Sequence, residues 1–315
     1  MGNASIPIYL VNGFLDSGKT TLLHDTMSMD YFNDGQRTVL LRCEDGECEY
    51  DDKFLADHNT VLVPVEDAEQ LNAEFFSKLK GLYKPERILV EYNGMWPMED
   101  ILTARFPRDW GIFQIISVID GSTFELYQSN MQSLIVDMVS QSDMILFNRC
   151  TADQPLAGYK RSVRAVNRMA EIVFEDAQGQ ELTVEDILPY SLDSDTIPLE
   201  DPDYGIWYLD IQEHPERYLN KTVVFKAQAM TNHKLPKGTF VPGRNAMTCC
   251  ADDIRFFGFL CKYPGVKGLV NGQWVYVTAE IRWEHSPVYE DMGVVLYAKS
   301  VEDALRPEDP LVYFR

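Results

Sequence analysis

The sequence predicts an α/β fold, a doubly wound and mostly parallel sheet, followed by a smaller and mostly β domain. In the first part, short apolar runs typical of buried strands alternate with helical runs, the pattern of a parallel sheet with crossover helices. A glycine-rich motif at residues 13–20 lies between the first strand and the first helix. Beyond about residue 205, helical patterns nearly vanish and strand-like runs follow one another, which indicates a β-rich domain.

The strands of the first domain are short apolar runs, as expected of strands that are buried on both faces of a parallel sheet. In chain order they are predicted over residues 6–11, 37–42, 60–65, 87–91, 111–120, 143–148 and 171–174. Helices are predicted over residues 21–27, 68–81 and 153–170. The second helix is expected to end at Gly81, because glycine commonly follows the last turn of a helix.

The sequence changes character at residues 190–205, an acidic, turn-rich stretch that is the best candidate for a linker. We therefore predict two domains, residues 1–195 and 196–315. Strands rich in Val, Phe, Tyr and Trp are predicted over residues 223–230, 254–261, 274–283 and 294–298. Asn271 and Gly272 predict a hairpin turn. This succession of strands favours a small closed barrel or sandwich, and we expect an OB-like barrel.

The chain has 49 acidic and 28 basic residues, and its formal charge is −21. This charge excludes some classes of binding partner. Such a chain is not expected to bind nucleic acid or an anionic membrane surface. No apolar stretch approaches the ~20 residues of a membrane span, and the N-terminus does not have the pattern of a signal peptide. Six cysteines are too few for a disulfide scaffold. These features predict a cytoplasmic protein that does not insert into membranes.

The motif at residues 13–20 fits G-x-x-x-x-G-K-[ST], the phosphate-binding loop of a P-loop NTPase fold. Its glycines let the backbone curl so that N–H groups point at phosphate oxygens, and the helix that follows adds partial positive charge. Its lysine is expected to reach the β- and γ-phosphates, and its threonine to ligate Mg²⁺. The predicted nucleotide-binding residues are Gly13, Asp16, Ser17, Gly18, Lys19, Thr20 and Thr21.

A second element of the site is predicted at the end of the strand over residues 87–91. This apolar strand ends in Glu91, which can bind Mg²⁺ together with Thr20 or orient an attacking water. Gly94 follows three residues later and can offer its N–H to the γ-phosphate. Lys19, Glu91 and Gly94 are therefore the candidate catalytic residues. A structural alternative is that strands often end in a charged residue.

These segments resemble the CobW/HypB/UreG class of P-loop GTPases and metallochaperones, and within it the CobW branch. Residues 11–23 are similar to its T-G-F-L-G-S-G-K-T-T-L-L stretch, residues 88–94 to I-L-I-E-x-x-G, and residues 118–120 to V-V-D. Residues 43–51 are similar to N-E-F-G-E…D. The resemblance covers roughly residues 6–175. It implies a Mg²⁺-dependent GTPase that handles a zinc-type metal ion, with a partner protein that receives the metal.

The chain departs from this family at two positions. The C-x-C-C metal motif is missing, because residues 64–69 contain no cysteine. The guanine-reading N-K-x-D motif reads Asn148-Arg149-Cys150-Thr151. Asn148 is kept as a nucleotide-binding residue, but Thr151 replaces the acid that accepts from guanine, and Asp153 lies out of register. ATP therefore stays open as the nucleotide.

Two segments are candidates for a further metal site, and Zn²⁺ is the candidate ion for both. Residues 43–52 carry six acidic side chains and two thiols, and the candidate ligands are Cys43, Glu44, Glu47 and Cys48. The alternative is a solvated acidic loop. Residues 244–253 resemble the R-x-x-M-x-C-C-x-A-D motif in the soluble domain of YcgQ-type permease partners. The conceivable ligands there are Cys249, Cys250, Asp253, Cys261 and His233, and the alternative is that these cysteines are plain core residues.

Three functions are compatible with the sequence. The first is a cytoplasmic GTPase that couples its nucleotide state to metal handling. The second is a hydrolytically idle, nucleotide-bound adaptor subunit of a metal or solute permease. The third, a small-substrate kinase, would need an arginine-rich lid. Arg161, Arg164 and Arg168 form the local arginine cluster, and their spacing suits a solvated helix face better.

Overall fold

A computed structural model describes residues 5–46, 48–185, 187–247, 254–286 and 288–314. The chain forms two compact units. The first contains Met1–Leu156 and Val166–Val184, and the second contains Ala157–Ala165 and Glu185–Arg315.

The first unit contains a seven-stranded sheet in which every neighbouring pair is parallel. Its strands are β1 (Ile6–Asn12), β2 (Thr38–Arg42), β3 (Thr60–Pro64), β4 (Arg87–Glu91), β5 (Trp110–Asp120), β6 (Met144–Asn148) and β7 (Glu171–Phe174). The order across the sheet is β3-β2-β4-β1-β5-β6-β7. The predicted doubly wound α/β fold is confirmed. The direction of winding reverses beside β1, and ligands bind at such switch points, beyond the carboxyl ends of the strands.

The helices of the first unit are α1 (Lys19–Ser28), α2 (Asp52–Asp57), α3 (Ala73–Tyr83), α4 (Met98–Leu102), α5 (Phe124–Asn130) and α6 (Gln132–Ser140). Between β6 and β7 the chain forms α7 (Leu156–Val166), most of which belongs to the second unit. The helix predicted over residues 68–81 is wrong at both ends. Asn72 caps α3 by accepting a hydrogen bond from the Phe75 N–H, so only a short 3₁₀ turn precedes it. Gly81 lies inside α3, which ends at Lys84 in a left-handed conformation (φ 46°).

The sheet is covered on both faces, as its continuous apolar strands predict. All five residues of β4 are buried. Ile88 and Val90 belong to one buried cluster and Leu89 to another, because successive side chains of a strand point to opposite faces. The central strands are therefore held rigidly, and their carboxyl ends form a firm base for the loops that follow.

The second unit is a β barrel whose buried core includes residues of α8 (Asp203–Glu213). Its strands are β8 (Thr196–Pro198), β9 (Thr222–Met230), β10 (Thr239–Met247), β11 (Ile254–Gly258), β12 (Leu260–Lys262), β13 (Trp274–Ser286), β14 (Asp291–Asp303) and β15 (Leu311–Val312). Strands β9, β10, β12, β14 and β13 close into a ring in that order. Within it the β12–β14 pair is parallel and the others are antiparallel. This five-stranded barrel confirms the predicted OB-like domain.

Several details of this unit differ from the sequence prediction. Strand β10 was not predicted, and the strand predicted over residues 254–261 is two strands that pair with different neighbours. The predicted linker over residues 190–205 contains β8, which pairs with β9. Helix α8 was missed because seven of its eleven residues are buried. A helix that is buried nearly all round lacks the polar stripe that makes an amphipathic helix recognisable.

Arg244, the first residue of the motif at residues 244–253, is a buried structural residue of this unit. Its side chain is 1% exposed. The guanidinium donates to the backbone carbonyl and carboxylate of Asp201, at 3.1 and 2.8 Å, and to the carbonyl of Asp309 at 2.9 Å. It also lies 5.5 Å from the ring centre of Trp274. Arg244 thus ties β10 to the turn before α8 and to the segment before β15.

We expect Arg244→Met to destabilise the second unit by about 1–3 kcal/mol, because Asp201 Oδ1 and the Asp309 carbonyl lose their donor. Asp201 Oδ2 keeps its contact with Lys226 at 3.0 Å. Urea unfolding of the full chain, followed by tryptophan fluorescence, measures this. Arg282→Met is the matched control, since Arg282 pairs with Glu280 on the surface and such pairs contribute under about 1 kcal/mol. Equal losses in the two variants would contradict the role of Arg244.

Candidate functional site

The loop between β1 and α1 is seated tightly on neighbouring strands. A Cβ atom built on Gly13 would lie 2.4 Å from the carbonyl oxygen of Val118 in β5. Gly18 has a φ of +103°, which side-chain-bearing residues rarely adopt, and a Cβ there would lie 2.6 Å from the Asn148 amide nitrogen. Both glycines of the motif are therefore required by the backbone path and by the strand ends against which the loop packs.

Lys19 is the first residue of α1 and is almost completely buried. Its ammonium donates to the carbonyl oxygens of Gly13 and Phe14, at 2.7 and 2.8 Å. It also forms an ion pair with the carboxylate of Glu44, which lies beyond the end of β2. The loop carbonyls thus fix the charge of Lys19 at the start of α1, where the helix already favours anions.

Thr20 and Glu91 meet as the sequence predicts. The Thr20 hydroxyl donates to Glu91 Oε1 at 2.5 Å, and Glu91 is buried. The second oxygen, Oε2, accepts from the hydroxyl of Tyr50 at 2.8 Å. Burial, followed by the charge of Glu91, raises the pKa of Tyr50 well above its usual value, so this hydroxyl stays a donor. Tyr50 is not predictable as a site residue, because one aromatic residue within an acidic segment gives no sign of its partner.

Gly94 lies against the beginning of the phosphate loop. A Cβ built on it would come within 2.4 Å of the Gly13 carbonyl oxygen and 2.8 Å of the Phe14 nitrogen. This contact places Gly94 beside the loop. It also means that any side chain at this position would displace the loop itself.

The end of β6 holds the loop from the other side. The Asn148 amide donates to the carbonyl of Ser17 at 2.7 Å. Its buried Oδ1 has no hydrogen-bond partner among the described residues. Arg149 donates to the carbonyl of Asp16 at 2.9 Å and to the carboxylate of Asp120 at 2.5 Å. This bridging role of Arg149 was not foreseen, although its place in the degraded N-K-x-D motif was the available signal.

The remaining predicted nucleotide-binding residues differ in exposure. Asp16 and Thr21 are exposed, whereas Ser17 is buried and contributes its carbonyl to Asn148. Thr151 and Asp153 are both exposed. A hydrogen bond from Thr151 lowers the pKa of the Asp153 carboxyl, which is thereby engaged within its own turn.

An open cleft of about 490 Å³ brings these parts together. It is lined by Leu15, Asp16, Gly18, Lys19, Thr20, Thr21, Glu44, Gly46, Cys48, Glu91 and Arg149. Cationic and acidic groups thus share one cleft at the carboxyl ends of the central strands. Such an arrangement can hold a phosphate chain and a divalent cation together.

Three of the four candidate metal ligands near this cleft, Cys43, Glu44 and Cys48, are among the described residues. In the part of the chain that the structure describes, no three His, Cys, Asp or Glu side chains are placed to hold a metal ion. Cys43 is buried, and burial, then the charges of Glu91 and Glu44, raise the pKa of its thiol far above the usual value. Cys48 is exposed, and Glu47 lies outside the described residues.

The candidate ligands of the second unit fall into two groups. Cys249, Cys250 and Asp253 lie outside the described residues. Cys261 belongs to the buried core of the barrel, and burial raises the pKa of its thiol to about 12, while His233 is exposed. Cys261 therefore fits the core alternative.

These environments predict how the thiols of the described residues react. Burial, then the charge of Asp120, raise the pKa of Cys150 to about 11, so its thiol stays protonated at pH 8, as does that of Cys261. Since the thiolate is the nucleophile, we expect iodoacetamide at pH 8 to modify Cys48 at least about 100-fold faster than Cys150 or Cys261. Peptide mass mapping measures this, and urea-unfolded protein, in which all three should react alike, is the control. Equal rates in the folded protein would contradict the burial of these thiols.

The loop, its strand–helix frame and the acid at the end of β4 define a P-loop nucleotide-binding domain. The family model of the CobW/HypB/UreG nucleotide-binding domain matches residues 7–174. The chain belongs to this family. Residues 174–314 match a second family model, described as the DUF1980 C-terminal domain.

Solved structures similar to this chain include the hydrogenase maturation factor HypB from Archaeoglobus fulgidus. It has 11% sequence identity and a TM-score of 0.39, over 56% of this chain and 84% of HypB. Zn(II)-bound YjiA GTPase from E. coli has 16% identity and a TM-score of 0.43, over 74% of each chain. No curated protein sequence matches the chain. Among the described residues, no helix combines the length and apolar character that a membrane crossing requires.

Proposed function

We propose that this protein is a Mg²⁺-dependent GTPase that couples its nucleotide state to the handling of a zinc-type metal ion. The observation that carries this proposal is the position of the Lys19 ammonium. Two loop carbonyls hold it beside the Thr20–Glu91 pair, in one cleft. Membership of the CobW/HypB/UreG family supports the same assignment.

Thr20 and Glu91 are suited to hold Mg²⁺. They present a hydroxyl and a carboxylate oxygen 2.5 Å apart, and oxygen atoms are the ligands that this hard cation prefers. When bound, Mg²⁺ supplies positive charge against the oxygens of the phosphate chain. Lys19 would stabilise the charge that develops between the β- and γ-phosphates, and the N–H of Gly94 would contact the γ-phosphate. No covalent intermediate is needed, because positioning and electrostatic stabilisation suffice for this reaction.

The described site offers fewer groups that could recognise the base of the nucleotide than groups that could bind its phosphates. Asn148 holds the loop, but Thr151 offers no carboxylate to the guanine edge, and Asp153 is engaged with Thr151. We therefore propose GTP as the preferred nucleotide on the strength of the family, with ATP as a weaker ligand of the same cleft.

The coupling to metal is supported by the family and by the acidic segment over residues 43–52, which reaches the cleft through Glu44. A protein that receives the metal is the expected partner. The small number of cysteines in the whole chain favours a cytoplasmic location.

Titration with GTP and with ATP, each with Mg²⁺ alone and with added Zn²⁺, tests this function by calorimetry. We expect Lys19→Ala to weaken Mg²⁺–GTP binding by about 100-fold, since a charge-assisted contact to phosphate is lost. Lys78→Ala is the control, because Lys78 is exposed on α3. Unchanged affinity in the Lys19 variant would refute the proposed function. An effect of Zn²⁺ on nucleotide affinity would support coupling between the two ligands.

A second candidate is a nucleotide-bound adaptor of a permease that does not hydrolyse its nucleotide. It is favoured by the match of residues 174–314 to the DUF1980 C-terminal domain, together with the permease-partner motif predicted there, and by Thr151 in the degraded base motif. Single-turnover hydrolysis separates the two functions. Release of phosphate from bound GTP in excess Mg²⁺ argues for the GTPase, and its absence argues for the adaptor.

The hydrogen bond from Tyr50 to Glu91 predicts a defect in the use of Mg²⁺. We expect Tyr50→Phe to raise the Mg²⁺ concentration for half-maximal GTP binding by about tenfold, because a residue that orients a ligating carboxylate is lost. GTP binding without Mg²⁺ should stay as in the wild type.

Tyr92→Phe is the matched control for this experiment. Tyr92 follows Glu91 directly and is also buried, but its hydroxyl donates to the carbonyl of Pro97 at 2.8 Å. Loss of this hydroxyl should leave the Mg²⁺ dependence unchanged. The same Mg²⁺ dependence in Tyr50→Phe and the wild type would show that Tyr50 does not position Glu91.

A further inference from the structure

The ammonium of Lys19 has three N–H donors. Two are used by the loop itself, on the carbonyl oxygens of Gly13 and Phe14. The carboxylate of Glu44 is the third acceptor. A phosphate oxygen that approaches Lys19 therefore meets an ammonium whose donors are all engaged, and Glu44 is the acceptor that can leave.

Glu44 is brought to this place by the strand ends. The N–H of Cys43 donates to the carbonyl of Glu91 at 2.9 Å, which extends the contact of β2 with β4 by one residue. Glu44 comes next, and its side chain is 10% exposed while that of Lys19 is 2% exposed. The ion pair is thus shielded from water, which strengthens it compared with a pair on the surface.

The segment that carries Glu44 also lies across the loop. A Cβ built on Gly46 would be 3.5 Å from the carboxylate of Asp16 and 3.8 Å from the side chain of Leu15. Residues 44–46 therefore lie close to the phosphate loop at Gly46 as well as at Glu44.

We infer that Glu44 is an internal competitor of the nucleotide, because its carboxylate holds the donor of Lys19 that a phosphate oxygen needs. This inference rests on the proposed function, which makes Lys19 a phosphate ligand. Binding of the nucleotide displaces Glu44, and the repulsion between its carboxylate and the phosphates drives it out of the cleft. Glu44 thereby sets the affinity of the loop for phosphate, and the position of its own carboxylate depends on the nucleotide. By linkage, whatever draws Glu44 away from Lys19 tightens nucleotide binding.

The effect of removing Glu44 on nucleotide affinity distinguishes a competitor for Lys19 from a ligand of Mg²⁺ or the nucleotide. If Glu44 contacts Mg²⁺ or the nucleotide in the bound state, its removal weakens binding. If it competes for Lys19, its removal strengthens binding. We expect Glu44→Gln to bind Mg²⁺–GTP about tenfold more tightly than the wild type, the change expected when a competing hydrogen bond between charged groups is lost.

Calorimetric titration with GTP and ATP in Mg²⁺ tests this, with Glu44→Ala as a second variant that removes the acceptor completely. Asp45→Asn is the matched control, because it removes the same charge one residue away, where Asp45 pairs with Arg42 at 2.7 Å. The affinity of this control should stay within about twofold of the wild type, as expected for an exposed charge.

The outcomes separate the inference from the proposed function. Tighter binding in both Glu44 variants, with the control unchanged, supports the competition. Equal or weaker binding in the Glu44 variants overturns it, and so does equal tightening in Asp45→Asn, which would reflect net charge alone. If neither the wild type nor the variants bind GTP or ATP, the proposed function itself fails.

Discussion

Lys19 carries its positive charge on a side chain that is almost completely buried, and the candidate site is arranged around that charge. A buried cation is costly unless acceptors surround it. Gly13 and Phe14 supply two carbonyl oxygens, and Glu44 supplies a carboxylate. The first two contacts require the loop to curl back on α1. The contact with Glu44 holds the segment after β2 against Lys19. The charge of Lys19 therefore connects two loops of the cleft.

The parallel sheet makes this arrangement possible. Because β4 and β5 lie on either side of β1, the residues that follow these strands meet at one edge. Gly94 packs against the start of the loop, and Val118 limits the space at Gly13. Asn148 and Arg149, at the end of β6, hold the carbonyls of the loop. Strands that are buried on both faces give this edge the rigidity that a phosphate site needs.

The second unit has a core of its own, and the candidate nucleotide site takes all its residues from the first unit. Helix α8 packs against the strands of its barrel, and its aromatic residues Tyr204, Trp207 and Tyr208 belong to the same buried cluster. The motif at residues 244–253 contributes to this fold through Arg244, which joins β10 to two other segments. Arg244 thus stabilises the fold of the second unit, although it belongs to a motif that the sequence suggests as a metal site.

The amino-acid sequence alone predicts the class of fold, the phosphate loop and the pairing of Thr20 with Glu91. These features are local, since hydrophobic period, glycine spacing and the residue at a strand end can be read from neighbouring positions. Helix α8, the contact of Tyr50 with Glu91 and that of Glu44 with Lys19 were decided by the tertiary structure. Tyr50 and Glu91 are 41 residues apart. No local pattern specifies such a contact, because it depends on which strands become neighbours and on how the chain between them packs.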